Sequence, residues 1–511
     1  MRPTLRRSCA ACAKFKHSCD LRTPRCSRCV KRKVQCVYAN EPLTAPIALG
    51  HGDGRSIRPL GGYESLTEYR FGSLDPFESY PPTRLPREHV QRLIHSFLHK
   101  IAFEYYPLDL CAASNPFLVS WWPLALGDPA LFHVSLQTAC LDEELLAQRG
   151  FHASEILMAD SVALLRRKVE DPSLAVQDGT MNSVITLAAI EFGKGNLQTS
   201  KMHVDGVKKL VSMRGGINSV RQTSPLTARM VSWVSMLVTG HPQFDTQDDV
   251  GIGDGIPIVP EWQIDLTNAA HSSSLLNNPE LDIDYEVRSV FIRLRNAFDR
   301  AQHVPLPATR LHDLTCFVIH RLLLSTSNIT GIPSSPLSES LRYAIILYMF
   351  IIHGPTYYSH AVIMSTIVAR FIENLISLES TTYAQPSLDI WFSAVGLVAS
   401  SGTPQYQWFI DKTQALVAHL GLGSWEDAFA RIKSILWMNT PQAEGIFRPH
   451  WDAIFGPADR RQTSSSDLQL SLPISPYSIG FPSDIISVLP LSLMLERPDT
   501  AITYAARTPL S

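Results

Sequence analysis

Six cysteines in the first 36 residues carry the strongest chemical signal in the chain. They form two trios of one spacing, C-x2-C-x6-C: Cys9, Cys12 and Cys19, then Cys26, Cys29 and Cys36. A shift of 17 residues lays the first trio on the second and carries Lys14 to Lys31 and Lys16 to Lys33, so a small basic unit is duplicated. Thiolates two residues apart can reach one ion, because a short turn brings both sulfurs to one side, about 2.3 Å from a tetrahedral Zn(II). Six sulfurs fill two tetrahedral sites only if two of them are shared. The internal repeat makes the shared sulfurs equivalent residues: Cys9 with Cys26, Cys12 with Cys29, or Cys19 with Cys36. Spacing alone leaves these three pairings open.

An even set of closely spaced cysteines can also be a disulfide framework in a secreted chain. Here the residues before Cys9, Met-Arg-Pro-Thr-Leu-Arg-Arg-Ser, are basic and short and carry no apolar leader. The remaining cysteines, Cys111, Cys140 and Cys316, stand singly in apolar contexts and read as reduced core residues. His17 is placed near the metal or the nucleic acid without ligating, since six thiolates suffice. A segment of this size has no room for a hydrophobic core. Metal coordination must therefore supply most of its folding free energy, on the order of 10 kcal/mol or more per structural zinc.

Charge is distributed as unevenly as sulfur. Residues 1–40 hold eleven Lys or Arg against the single acid Asp20, whereas the whole chain carries a net charge of −2. A basic head thus precedes an acidic body. Such a head neutralises phosphates and releases counterions, which gives salt-dependent affinity for nucleic acid without sequence information. Specificity requires a base contact, for example a lysine facing guanine O6 and N7.

The stretch CAACAKFKHSCDLRTPRCSRCVKRKVQC resembles the fungal zinc binuclear-cluster transcription factors in all six cysteines, in Asp20 after the third and in Pro24 before the fourth. The resemblance implies two Zn(II) ions with Cys9 and Cys26 bridging, and a first short helix in the major groove that sets Lys16 against a CGG triplet. It also implies a nuclear regulator of RNA polymerase II genes whose partners are double-stranded DNA and co-regulators. Ala13 stands where that family usually has arginine and Ser18 where it has lysine, which thins the phosphate contacts of this helix. Lys14, Lys31, Arg32, Lys33, Arg25 and Arg28, with Arg6 and Arg7 upstream, are the cations that can compensate. The phrases DPFESYPP, NPFLVSWWPLALGDPALFH and HVDGVKKLVSMRGGI resemble the regulatory middle region of fungal transcription factors.

Around this head the chain divides into residues 1–40 as the zinc-cluster domain, 41–85 as a Pro- and Gly-rich linker, 86–456 as an all-α regulatory domain and 457–511 as a Ser/Pro-rich, partly disordered tail. Helix breakers interrupt every run of heptads in the linker, so a coiled coil there is not expected and oligomeric state stays open. Apolar residues at helical spacing, such as Val90, Leu93, Ile94, Phe97 and Ile101, recur through 129–147, 153–168, 183–192, 202–213, 225–238, 286–299 and 310–324. Further stripes run through 337–353, 359–378, 387–400, 406–420 and 425–437. Trp121 and Trp122 read as core aromatics, and His203, His320 and His353 as satisfied core histidines. Ten acids and no Lys or Arg lie between Met230 and Val287. Their order lacks the pattern of a calcium loop, so they read as a solvated acidic segment able to repel DNA or meet a basic partner.

The chain offers no Walker loop, no H-E-x-x-H and no G-x-S-x-G, so catalysis is not expected. Gly251, Gly253 and Gly255 sit in the acidic segment without the strand and helix of a phosphate loop. Apolar runs such as Ala344–Ile352 are shorter than the about 20 residues of a membrane span, so no membrane partner is expected. The competing reading is a zinc-stabilised interaction protein or repressor without specific DNA binding of its own. Metal analysis of the reduced chain should return two zinc per molecule, and excess EDTA should abolish the circular dichroism of an isolated segment 1–45. A segment that kept its fold in EDTA would rule out the zinc reading.

Overall fold

Apolar side chains three and four residues apart decide where the chain coils, and capping groups decide where each coil begins. The structure, a computed structural model, describes residues 10–15, 17–18, 26–34, 80–147, 150–263, 281–325, 334–380, 385–440 and 443–456. Most of the expected linker and the whole of the expected tail lie outside these residues. The chain separates into two units, Met1–Glu68 and Tyr69–Ser511. The first contributes two short helices, α1 (Ala10–Lys14) and α2 (Ser27–Arg32).

In the second unit, α3 (Arg87–Ser96) passes through a π-turn at Phe97–Ile101 into α4 (Ala102–Tyr105). Val90, Leu93, Phe97 and Ile101 are buried along one side, as their spacing predicts. A second π-turn, Phe117–Trp121, leads into α5 (Trp122–Gly127). Trp121 is buried and its indole N–H donates to Ser135 Oγ at 2.9 Å, while Trp122 packs half-buried against the core. There follow α6 (Pro129–Leu146), α7 (His152–Glu170), α8 (Pro172–Ala175), α9 (Asp178–Gly193), α10 (Leu197–Met213), α11 (Ile217–Thr223) and α12 (Pro225–Thr239). Helix α9 is buried on every side from Gly179 to Glu191 and packs against α6, α7, α10 and α12.

Asp128 organises this half. Its Oδ1 accepts the backbone N–H groups of Ala130 and Leu131 at 3.1 and 3.3 Å and so caps α6, with Pro129 in the first turn. The same carboxylate pairs with Lys168 of α7. Gly179 of α9 leaves the room, since a Cβ there would lie 1.9 Å from Asp128 Oδ2.

The second half comprises α13 (Tyr285–Ala301), α14 (Ala308–Leu324), α15 (Pro336–His353), α16 (Ala361–Glu379), α17 (Pro386–Ala399), α18 (Tyr406–Leu420), α19 (Trp425–Ile435) and α20 (Ala443–Phe455). Helix α15 is its axis, packed against α13, α14, α16 and α17. Arg342 on α15 is 1% exposed. It donates to the carbonyls of Leu322 and Ser325 at 3.0 and 2.7 Å and pairs with Glu339 at 3.0 Å, which joins the end of α14 to α15. One apolar cluster runs from Val90 to Ile454, so the two halves share a core. Helix α16 has the length and mean hydropathy of a membrane span, but Ile363, Ile367, Val368, Phe371 and Leu375 are buried while Arg370 and Glu373 pair at 3.2 Å on its exposed side. Among the described residues there are no strands, only an isolated bridge between Thr246 and Ile256.

Three expectations are corrected. Cys111 is exposed rather than a core residue, because it opens a turn in which its N–H bonds Asp109 Oδ1 at 3.0 Å and its carbonyl accepts Ser114 and Asn115. The acidic segment is only partly solvated. Asp249 accepts from Trp262 Nε1 and Ser289 Oγ, Glu261 pairs with Arg310, Asp284 with Arg342 and Glu286 with Arg321. Its glycines shape a loop: Gly251 and Gly253 have positive φ, and a Cβ on Gly255 would strike the Asp245 carbonyl at 2.5 Å. Of the histidines, His203 is half-buried. His320 is buried with Nδ1 on the Cys316 carbonyl at 2.7 Å, but its Nε2 has no partner.

Burial pushes His320, His353 and His450 down to about 4 and His360 to about 3. These folded values lie below the unfolded value near 6.5, so the unfolded chain binds more protons between them. The stability these groups contribute is present above about pH 6.5 and is lost as pH falls toward 4, and toward 3 for His360. The urea midpoint should therefore fall across this window, and His320→Leu should make the fall shallower.

Candidate metal centre and nucleic-acid interface

Among the described residues of the first unit, the one buried apolar cluster is Cys12, Cys26 and Cys29, with Ala11 packed against it, whereas Phe15, Val30 and Val34 are exposed. Cys12 lies on α1, Cys29 on α2, and Cys26 caps the N-terminus of α2. The three sulfurs lie within 4.8 Å of one another, and Cys12 Sγ is 3.6 Å from Cys26 Sγ. Four sulfurs about 2.3 Å from a tetrahedral zinc are separated by roughly 3.8 Å, so this spacing suits shared coordination of a metal. The Cys29 N–H points at Cys26 Sγ from 3.4 Å, a hydrogen bond that offsets thiolate charge. Buried thiolates this close would repel one another without a cation between them, and the donor set fits zinc.

The duplication seen in the sequence is also a duplication of backbone structure. His17 N–H bonds the Cys12 carbonyl at 2.9 Å, and 17 residues later Val34 N–H bonds the Cys29 carbonyl at 3.1 Å. Each helix therefore ends on the same five-residue return bond, and in the second the Lys33 N–H also reaches the Val30 carbonyl at 3.2 Å. Lys33 holds the left-handed position at φ 55°, the only non-glycine among the described residues with positive φ.

Lys14, Arg28, Lys31, Arg32 and Lys33 are all exposed on this unit. Cys9, Cys19, Cys36, Lys16, Arg6, Arg7 and Arg25 lie outside the described residues. His17 is half-buried, and Arg32 donates from Nη1 to its Nε2 at 2.8 Å, which ties the end of α1 to α2. The sequence gives no hint of that pair, because the 17-residue shift aligns His17 with Val34 instead.

Residues 7–45 match the family described as the fungal Zn(2)-Cys(6) binuclear cluster domain, and residues 92–239 match the fungal specific transcription factor domain. No curated protein and no solved structure matches the chain. The chain thus carries the two domains of a fungal transcription factor, neither of them an enzyme family, and its cofactor is two Zn(II) ions. The second match ends with α12, so α13 to α20 extend the helical body beyond it.

The left-handed position of Lys33 is the local weak point of the centre. A side chain there costs about 1 to 2 kcal/mol relative to glycine, most for a β-branched one. Zinc release to a chromogenic chelator should accordingly be slowest in Lys33→Gly and fastest in Lys33→Val, by about tenfold between them.

Proposed function

We propose that this chain is a sequence-specific DNA-binding regulator of RNA polymerase II genes, acting in the nucleus and reading CGG-type triplets in the major groove through Lys16. The reading rests on one observation above all: thiols from both halves of a basic duplicated unit converge, and among the described residues they are its one buried cluster. Cys9 and Cys26 are the bridging sulfurs in this reading. Its support is that Cys26, a second-half residue, stands 3.6 Å from the first-half Cys12 while its sulfur also accepts the Cys29 N–H. A shared ligand has to stand between the halves in that way.

Base reading falls to one lysine and phosphate binding to the remaining cations. Lys16 follows α1 and supplies the guanine contact; Lys14, Arg28, Lys31, Arg32 and Lys33, with Arg6, Arg7 and Arg25, neutralise phosphates. Arg32 enters with its guanidinium already held by His17, which lowers the entropy it loses on meeting a phosphate.

A gel shift of the zinc-loaded chain on CGG-containing and scrambled duplexes at two salt concentrations tests this division. Lys16→Ala should cost about 1 to 3 kcal/mol on the CGG duplex and little on the scrambled one. Lys31→Ala should weaken both alike and lower the salt slope by about one. If the wild-type chain retains neither duplex, the zinc unit serves a protein contact instead.

A further inference from the structure

Between α12 and α13 the chain makes a compact loop whose tip departs from the usual chemistry of turns, which favours Gly, Asn, Asp and Ser at exposed positions. Val250 is 68% exposed and Ile252 70%, and neither belongs to the apolar core. The backbone that carries them is nevertheless held. The ends of the loop are joined where Gln247 N–H bonds the Ile256 carbonyl at 3.0 Å and Ile256 N–H bonds the Asp245 carbonyl at 2.8 Å. At the tip, Asp248 Oδ1 accepts the N–H groups of Val250 and Ile252 at 3.0 and 2.7 Å, and the Asp248 N–H returns to the Ile252 carbonyl at 3.0 Å. Buried Gln247 donates from Nε2 to the Gly253 carbonyl at 3.0 Å, and the Asp249 carboxylate ties the loop to Trp262 and to Ser289 of α13.

Two aliphatic side chains held out on an ordered tip contribute nothing to the core, and exposed apolar area set among polar residues marks a contact surface. The charge of the loop says what it contacts. Asp245, Asp248 and Asp254 are all exposed. The arginines that return to this acidic segment go instead to Asp249, Glu261, Asp284 and Glu286. Residues 264–280, which follow in the chain, contain no Lys or Arg and so cannot supply the counter-charge. The same carboxylates repel a nucleic-acid backbone or an anionic lipid surface. A basic protein surface fits them, and because the tip is already ordered it loses little conformational entropy on docking.

We propose that this loop is a docking knob for a second protein, with Val250 and Ile252 entering an apolar pocket whose rim carries Lys or Arg opposite Asp245, Asp248 and Asp254. The aliphatic pair supplies the affinity, and the aspartates supply the choice of partner. The contact belongs to the helical body alone and goes beyond the reading of DNA by the zinc unit.

Fluorescence anisotropy of a labelled synthetic peptide, leucine and lysine at helical spacing, titrated with the zinc-loaded full chain tests the assignment. Two control peptides carry glutamate in place of lysine, or serine in place of leucine. The expected result is saturable binding of the leucine-lysine peptide, with both controls weaker by about tenfold or more. The double variant Val250→Ser, Ile252→Ser should weaken that binding about tenfold at an unchanged urea midpoint, because neither side chain packs in the core. Asp245→Asn together with Asp254→Asn should weaken it about threefold and flatten its salt dependence. Both double variants should retain the CGG duplex as the wild type does, which keeps this test separate from that of DNA reading. No saturable binding, equal binding of the glutamate peptide, or a Val250→Ser, Ile252→Ser chain that binds like the wild type would overturn the proposal.

Discussion

Sulfur crowding is the constraint from which the first unit follows. Cys12, Cys26 and Cys29 are buried within 4.8 Å of one another, while the larger apolar side chains among the described residues of this segment, Phe15, Val30 and Val34, remain exposed. Such a cluster holds together only around a cation, so the metal takes the place that a hydrophobic core occupies in a larger domain. The two helices need be no longer than a turn or so, because their task is to aim thiols inward. The side chains not engaged in that task are free to be basic.

The body obeys a different rule. Its stability comes from area removed from water along long apolar stripes, and a few buried polar groups fix which stripe meets which. Asp128 caps one helix, pairs with a second and lies on the glycine of a third, and Arg342 plays a similar part between α14 and α15. These residues add specificity where apolar packing alone would tolerate several arrangements.

Periodicity made the helices legible from Val90 onward, and cysteine spacing made the metal legible, because both are local patterns. What escaped is long-range or unpatterned. The acids between Met230 and Val287 look free when counted along the chain, yet Arg293, Arg310, Arg321 and Arg342, all later in sequence, return to pair with several of them. Helix α20 was hidden by Pro449 in its interior, and α11 by its shortness between Gly216 and Pro225. Cys111 has apolar neighbours along the chain, yet the turn from Asp109 to Asn115 leaves it exposed. In the first unit the pair of His17 with Arg32 has no sequence signature, since it crosses between halves that the repeat aligns differently.

Helix α16 carries a consequence for the life of the chain before it folds. Nineteen residues with a mean hydropathy of 1.6 over their most apolar window are, while still extended on the ribosome, indistinguishable by composition from a stop-transfer segment. What separates the two fates is time: the stripe from Ile363 to Leu375 becomes invisible to the insertion machinery once α15 and α17 close over it. Helix α15 emerges first and α17 last, so the stripe is fully covered only after all three helices have been synthesised.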